Sequence, residues 1–193
     1  MLNIVHGSGP SCGAPLVAHP GVKAISFTGS TKTGAMIAAQ AATSFRKVSL
    51  ELGGKNPFVV FADADFDRAV EAAVRAAFTN QGQICLCGSR VLVESSIYER
   101  FRDAFLVRTA ALEPGDPALS ETGFGAVVSA EHCEKVMRCI ALAREEGGRV
   151  LHGGQRARVP GRCAEGWFIE PTVIEGLGPD CRTNTEEIFG PVA

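Results

Sequence analysis

Two cysteines stand one residue apart in the segment NQGQICLCGSR, residues 80 to 90. Cys85 follows the turn-forming residues 80 to 83, so we predict that it projects from a loop where a substrate could reach it. A cysteine thiolate is a strong nucleophile, although burial as a small hydrophobic residue would explain the same thiol. A zinc site is disfavoured because His132 and His152 do not complete a recognisable set of four ligands.

A carboxylate and a hydroxyl stand at the ends of strand-like runs elsewhere in the chain. Glu51 closes an apolar run and is soon followed by two glycines, which places it at the edge where α/β proteins bind ligands. Partial burial there would suit a general base, and a solvated strand-end glutamate is the alternative. Gly29 and Ser30 lie between a strand and a helix, where free N–H groups could donate to a phosphate or where a serine simply caps the helix.

Strand-like runs alternate with helical patterns, which predicts an α/β fold with a mostly parallel sheet. An amphipathic helix is predicted where apolar residues recur on one face. The clearest predicted helix extends from about Asp65 to Phe78. Another begins after an N-cap at Ser129 and stops at two glycines. The remaining predicted helices cover residues 34–42 and 97–112. The predicted strands cover residues 2–5, 24–27, 47–52, 57–62 and 91–93. Residues 153–166 are predicted to form an exposed loop.

Composition narrows the classes of protein and partner. The chain has 193 residues, 46% of them hydrophobic, and a net charge of −2 with both signs interspersed, so no nucleic-acid partner is indicated. Its apolar runs fall far short of the ~20 residues that a membrane helix needs. Seven cysteines at irregular positions do not form a disulfide framework, which favours a reducing compartment, and we predict a cytoplasmic protein.

Four segments together resemble motifs of the aldehyde dehydrogenase superfamily. FTGST at 27–31 is similar to its cofactor-phosphate turn, LELGGKNP at 50–57 to its glutamate motif, FTNQGQICLCGS at 78–89 to its cysteine motif, and EEIFGPV at 186–192 to its ribose-contacting segment. The order and approximate spacing also match. The resemblance implies the end of a Rossmann-type, NAD-binding domain at 1–53, followed by part of an α/β catalytic domain at 54–193.

The resemblance also implies a mechanism. Cys85, rather than Cys87, occupies the position of the nucleophile, whose thiolate attacks the aldehyde carbon. Hydride leaves the thiohemiacetal for NAD, and water activated by Glu51 hydrolyses the resulting thioester. A carboxylic acid is formed, because the branch that transfers the acyl group to coenzyme A generally lacks a base at the position of Glu51.

The implied cofactor is NAD, with NADP left open. Gly29 and Ser30 would contact its pyrophosphate, Glu187 would hold the nicotinamide ribose, and Leu52 and Phe189 would lie near the nicotinamide. The substrate would be a small aldehyde. Because ICLCGSR is similar to the segment of the aminomuconate semialdehyde dehydrogenase branch, an unsaturated dicarboxylic semialdehyde is one candidate.

The similarity covers only the middle of a family member, so we expect an incomplete gene product. An oxyanion-binding asparagine, part of the nucleotide fold and the C-terminal segment would be missing, leaving an exposed sheet edge and a tendency to aggregate. The full-length enzyme would be a homo-oligomer. A non-catalytic remnant that binds nucleotide weakly or associates with another subunit is the alternative to an active enzyme.

Overall fold

A computed structural model describes all residues of the chain, 1–193, and divides them into two compact units, Met1–Gly53 and Gly54–Ala193. Helices and strands are mixed along the chain, as expected for an α/β protein. None of the helices has the length and apolar character needed to cross a membrane. The assignment of the two units to a cofactor domain and a catalytic domain stays a prediction.

The first unit is a strand, a helix and a second strand, preceded by a short helical segment. A π-helical turn at Gly9–Gly13 leads into α1, Ala14–Ala18. Strand β1, Ala24–Gly29, pairs in parallel with β2, Lys47–Leu52, and α2, Thr31–Ala42, connects them. The predicted strand at residues 2–5 is wrong, since these residues belong to no strand and are exposed. No partner strand satisfies their backbone groups, so apolar composition alone does not make them a strand.

The second unit begins with another parallel strand, helix, strand arrangement. Strand β3, Pro57–Val60, pairs with β4, Arg90–Val93, and α3, Phe66–Phe78, lies between them in the chain. The Asp65 side chain caps α3 by accepting from the Arg68 N–H at 3.3 Å. The buried face of α3 follows the predicted apolar spacing and packs with Phe101 and Phe105 of the next helix, α4, Tyr98–Ala110.

The rest of the second unit centres on helix α5, Ala130–Glu145, whose predicted N-cap is confirmed because Ser129 Oγ accepts from the His132 N–H. After it, β5, Arg149–His152, pairs with β6, Val173–Glu175, in an antiparallel manner, and the short α6 covers Arg182–Thr185. The sheet prediction therefore holds for two of the three strand pairs, β1 with β2 and β3 with β4. The predicted loop at 153–166 contains one short 3₁₀ turn and is not wholly exposed, since Val159 is buried.

Candidate active site

The first unit gathers four of the predicted site residues at the carboxyl ends of its two strands. Gly29 pairs with Leu52, and Thr28 pairs with Glu51, so the glycine and the carboxylate end up one register position apart. Parallel strands end at the same edge, which is where α/β proteins bind ligands. Glu51 is exposed rather than partly buried, because side chains of β2 alternate between exposed and half-buried positions and Glu51 falls on the exposed face.

Ser30 caps helix α2 immediately after β1. Its Oγ accepts from the Thr33 N–H at 3.3 Å and donates to Thr33 Oγ1 at 3.0 Å. The other N–H groups of the first turn, at Thr31 and Lys32, have no acceptor in the helix, and the turn carries no acidic side chain. This turn is suited to an anion such as a pyrophosphate, because it combines free amides, the positive end of a 12-residue helix and the Lys32 ammonium.

Leu52 is tied to the same helix. A Cβ added to Gly34 would lie 2.7 Å from Leu52 Cδ2, so the leucine side chain packs directly on the helix backbone at that point. The absence of a side chain at position 34 therefore allows the end of β2 to approach the first turn of α2. Half-buried Leu52 and exposed Glu51 consequently present opposite sides of one strand end.

The cysteine motif of the second unit forms a backbone turn of unusual conformation. Asn80 and Gln81 have φ values of 51° and 55°, and Gly82 has a φ of 68°, so three successive residues are left-handed. For residues other than glycine this conformation costs on the order of 1–2 kcal/mol each, and such strain is typical of functional sites. Cys85 follows in a turn and is exposed, as the loop prediction required.

Asn56 fixes the turn that carries Cys85. Its Nδ2 donates to the Cys85 carbonyl at 2.7 Å and to the Cys87 carbonyl at 3.2 Å. The two carbonyls flank Leu86, so one amide holds both ends of a three-residue stretch. Sequence reasoning missed this residue, although it lies in the same motif as Glu51.

Cys87 has the opposite environment to Cys85. It is only 8% exposed, and its Sγ donates to the Ala77 carbonyl at 3.3 Å. Burial raises the pKa of the Cys87 thiol, which disfavours the thiolate that would act as a nucleophile. Of the two neighbouring thiols, only Cys85 is therefore accessible to a substrate.

The segment that carries Glu187 and Phe189 is anchored to helix α5. His132 Nε2 lies 2.6 Å from the Phe189 carbonyl, and Lys135 Nζ donates to the Ile188 carbonyl at 3.1 Å and lies 3.5 Å from that of Glu187. Phe189 itself is left-handed, with a φ of 60°. His132 and Lys135 are one helical turn apart, so a single face of α5 shapes this segment.

The same segment packs on the cysteine turn. A Cβ built on Gly82 would overlap the Gly190 carbonyl, and one built on Gly190 would lie 2.5 Å from Val136 Cγ2 of α5. The backbone that follows Phe189 therefore lies between the turn that precedes Cys85 and helix α5, in contact with both. Within the second unit, the predicted nucleophile and the predicted ribose-contacting segment belong to one packed arrangement.

Sequence analysis identified these residues from their motifs but missed the residues that support them. Gly29, Ser30, Glu51 and Leu52 share a strand edge in the first unit, while Cys85, Glu187 and Phe189 lie on two touching segments of the second. Asn56, His132 and Lys135 were not identified as supporting residues. The only sequence signal for His132 and Lys135 was their spacing on one face of a predicted helix.

Comparisons of the sequence with known proteins agree on one protein family. The chain matches the aldehyde dehydrogenase family over residues 1–193. It is 45% identical to the 2-aminomuconic semialdehyde dehydrogenase of Danio rerio, covering 100% of this chain and 40% of that protein. It is 43% identical to betaine aldehyde dehydrogenase 1 of Oryza sativa subsp. japonica, covering 100% of this chain and 37% of that protein.

A solved structure supports the same relationship. The betaine aldehyde dehydrogenase of Staphylococcus aureus, in complex with NAD+, superimposes with a TM-score of 0.91 at 39% identity, over 96% of this chain and 37% of that one. The chain therefore spans about two fifths of the length of the relatives that it matches. Its folded motifs, its sequence over its whole length and its superposition all agree that this chain belongs to the aldehyde dehydrogenase family.

Proposed function

We propose that the protein of which this chain forms part oxidises an aldehyde to a carboxylic acid, with Cys85 as the nucleophile, Glu51 as the base that activates water and NAD as the cofactor. The observation that carries the proposal is the exposed Cys85 thiol on a turn that Asn56 and Gly82 hold in place. Neighbouring Cys87 is buried and engaged with a carbonyl, so it does not compete for the substrate.

The chemistry follows from the residue types. The Cys85 thiolate adds to the carbonyl carbon of the aldehyde and forms a tetrahedral thiohemiacetal, which loses a hydride to become a thioester. NAD, when bound, supplies the acceptor for that hydride. Glu51 then removes a proton from a water molecule, which attacks the thioester carbon and releases the carboxylic acid and the Cys85 thiolate, and Glu51 afterwards passes its proton to solvent.

Residues of both units suit the parts of the cofactor that they would hold. Gly29, Ser30 and the free amides of the first turn of α2 offer donors to a pyrophosphate, with no acidic side chain in that turn to repel it. Glu187 offers a carboxylate to ribose hydroxyls, on a backbone that His132 and Lys135 hold. Leu52 and Phe189 supply apolar surface for the nicotinamide ring.

The relatives suggest the class of substrate. Two of those with similar identity are named as semialdehyde dehydrogenases, and another as a betaine aldehyde dehydrogenase. We favour an unsaturated dicarboxylic semialdehyde because the ICLCGSR segment resembles that branch. A homo-oligomer in the cytoplasm is the corresponding proposal for the full-length protein.

A comparison of cysteine variants tests the proposal. NADH formation is followed by absorbance, with 2-hydroxymuconic semialdehyde and with betaine aldehyde, for the full-length protein that contains this chain, as the wild type and as the Cys85→Ser and Cys87→Ser variants. The proposal predicts that Cys85→Ser abolishes NADH formation and that Cys87→Ser retains most of it. Turnover by Cys85→Ser at the rate of an active wild type would contradict it. A wild type that shows no turnover, but whose Cys85 is labelled by an aldehyde-mimicking electrophile, would favour the non-catalytic alternative.

A further inference from the structure

The second unit contains a cavity of about 430 Å³ that the proposed oxidation does not use. This volume falls within the ~300–1,000 Å³ typical of small-molecule sites. Aromatic and aliphatic side chains form much of the lining, including Phe101, Phe105 and Val173. Lys55, Ser89, Arg90 and Asn184 contribute polar groups to the same cavity. The cavity therefore combines an apolar wall with donors to an anion.

Two cations in this cavity have no counterion. Lys55 makes no hydrogen bond or ion pair, and the buried Nε of Arg90 has no acceptor. The other charged side chains that line the cavity are already engaged, since Glu175 pairs with Arg149 and accepts from the Tyr98 hydroxyl, while Arg102 pairs with Asp103. A buried donor without a partner is costly, so an anion that enters this cavity would meet two unsatisfied cationic groups.

The Lys55 amine is also unusual in its acid–base chemistry. Burial, followed by repulsion from Arg90, lowers the pKa of Lys55 to about 8. The titratable groups that face it are Arg90 of β4, Cys87 of the cysteine turn, Cys139 of α5 and Cys181 before α6. Burial raises the pKa of the Cys87 and Cys139 thiols, so both stay protonated and uncharged near neutral pH. A neutral, half-buried amine is a nucleophile toward carbonyl groups.

We propose that Lys55 and Arg90 form a second site, separate from Cys85, that captures anionic aldehydes reversibly as an imine. The Lys55 nitrogen adds to the aldehyde carbon, the resulting carbinolamine loses water, and the carbon–nitrogen double bond replaces the carbon–oxygen double bond. Arg90 binds the phosphate or carboxylate of the same molecule. No oxidant or reductant is needed, and hydrolysis reverses the step.

Pyridoxal 5′-phosphate tests the site because it carries both an aldehyde and a phosphate. The 193-residue chain is incubated with it, the imine is reduced with borohydride, and labelled peptides are identified by mass spectrometry. We expect Lys55 to be labelled at least about tenfold faster at pH 7.5 than each of the other lysines, because it has the larger neutral fraction. The others are Lys23, Lys32, Lys47 and Lys135. Equal labelling of all five would overturn the proposal.

Arg90 is tested with a matched aldehyde and a variant. 5-Deoxypyridoxal, which lacks the phosphate and has no hydroxyl that could close on its own aldehyde, should label Lys55 about tenfold more slowly, because it cannot form the charge-assisted hydrogen bond to Arg90. Arg90→Gln should reduce this preference to about equal rates, provided that its circular dichroism matches the wild type. Should this variant not fold, competition by inorganic phosphate in the wild type replaces it, and labelling insensitive to phosphate would contradict the role of Arg90.

A final control separates this site from the proposed oxidation. Cys85→Ser should leave the labelling of Lys55 unchanged, although the same substitution is expected to abolish aldehyde oxidation. Lys55→Arg should remove the label while keeping the positive charge. Loss of Lys55 labelling in Cys85→Ser would show that the two sites are not independent and would overturn the proposal.

Discussion

Gly82 lies directly against the carbonyl of Gly190, so that a Cβ at position 82 would overlap the backbone of the FGPV segment. This contact joins the cysteine turn to the segment that carries Phe189. Gly82 also has a φ of 68°, a conformation that side chains disfavour. Two different physical reasons thus require glycine at the same position.

Gly82→Ala is therefore expected to destabilise the chain strongly. Left-handed strain and the steric overlap together should lower the free energy of unfolding by about 2–4 kcal/mol. Urea denaturation measures this change. Gly123→Ala is the matched control, because a Cβ there meets nothing within 4 Å, and a loss in the control equal to that of Gly82→Ala would contradict the explanation.

Asn56→Ala should loosen the turn that carries Cys85. The substitution leaves the carbonyls of Cys85 and Cys87 without their donor, which should lower stability by about 1–3 kcal/mol and change the rate at which Cys85 reacts with an aromatic disulfide. Gln155→Ala removes another side-chain amide bond, to Glu170 Oε1 at 3.1 Å, and Gln155 belongs neither to the cysteine motif nor to the cavity of Lys55 and Arg90. That control should leave the Cys85 rate unchanged.

The two thiols of the cysteine motif should differ sharply toward iodoacetamide. Cys85 is exposed, whereas Cys87 is buried and its thiol has a raised pKa, so Cys85 should be alkylated at least about tenfold faster at pH 8. Peptide mass spectrometry over a time course measures both rates. Faster alkylation of Cys87 would show that the turn is arranged differently in solution.

Asp116 and Arg162 link two loops of the second unit through a pair of hydrogen bonds, at 2.6 and 2.5 Å. The Arg162 guanidinium holds the pKa of the Asp116 carboxyl down, at about 2. Because this folded-state pKa lies below the unfolded value of ~3.9, the pair stabilises the chain above pH ~4 and loses its effect as the pH falls toward 2.

The matching experiment compares melting temperatures across this pH range. Arg162→Gln should melt below the wild type at pH 6, and the difference should shrink as the pH approaches 2. Arg138→Gln is the control, since Arg138 forms only a 3.8 Å ion pair between two exposed side chains. A difference for Arg162→Gln that is constant from pH 6 to pH 2 would rule out the ionised Asp116 as its cause.

Local patterns predicted the elements whose signals are contained within a few residues. The apolar face of α3 and the cap at Ser129 were predicted correctly, because periodicity and capping depend on neighbouring residues. The strand predicted at 2–5 fails for the converse reason, since a strand needs a distant partner that the local sequence does not specify. Strand β5 also went unpredicted, although β3 and β4 have the same length of four residues and were predicted.

In the candidate site, too, local patterns predicted some features and contacts between distant residues determine the others. Motifs located Cys85, Glu51 and Phe189, but the residues that hold their backbones are remote in sequence. Asn56 reaches a carbonyl 29 positions away, and His132 reaches one 57 positions away. Cys85 and Cys87 share one local pattern, and only tertiary packing exposes the first and buries the second.

The roles of Cys85 and Glu51 are tested most directly by trapping the acyl intermediate. Glu51→Gln is mixed with NAD and 2-hydroxymuconic semialdehyde, quenched in acid and analysed by intact mass and peptide mapping. If Glu51 activates the hydrolytic water, the variant accumulates a thioester on Cys85 at close to one per chain, while the wild type shows little. An adduct on Cys87, or wild-type turnover by Glu51→Gln with no adduct, would contradict the assignment.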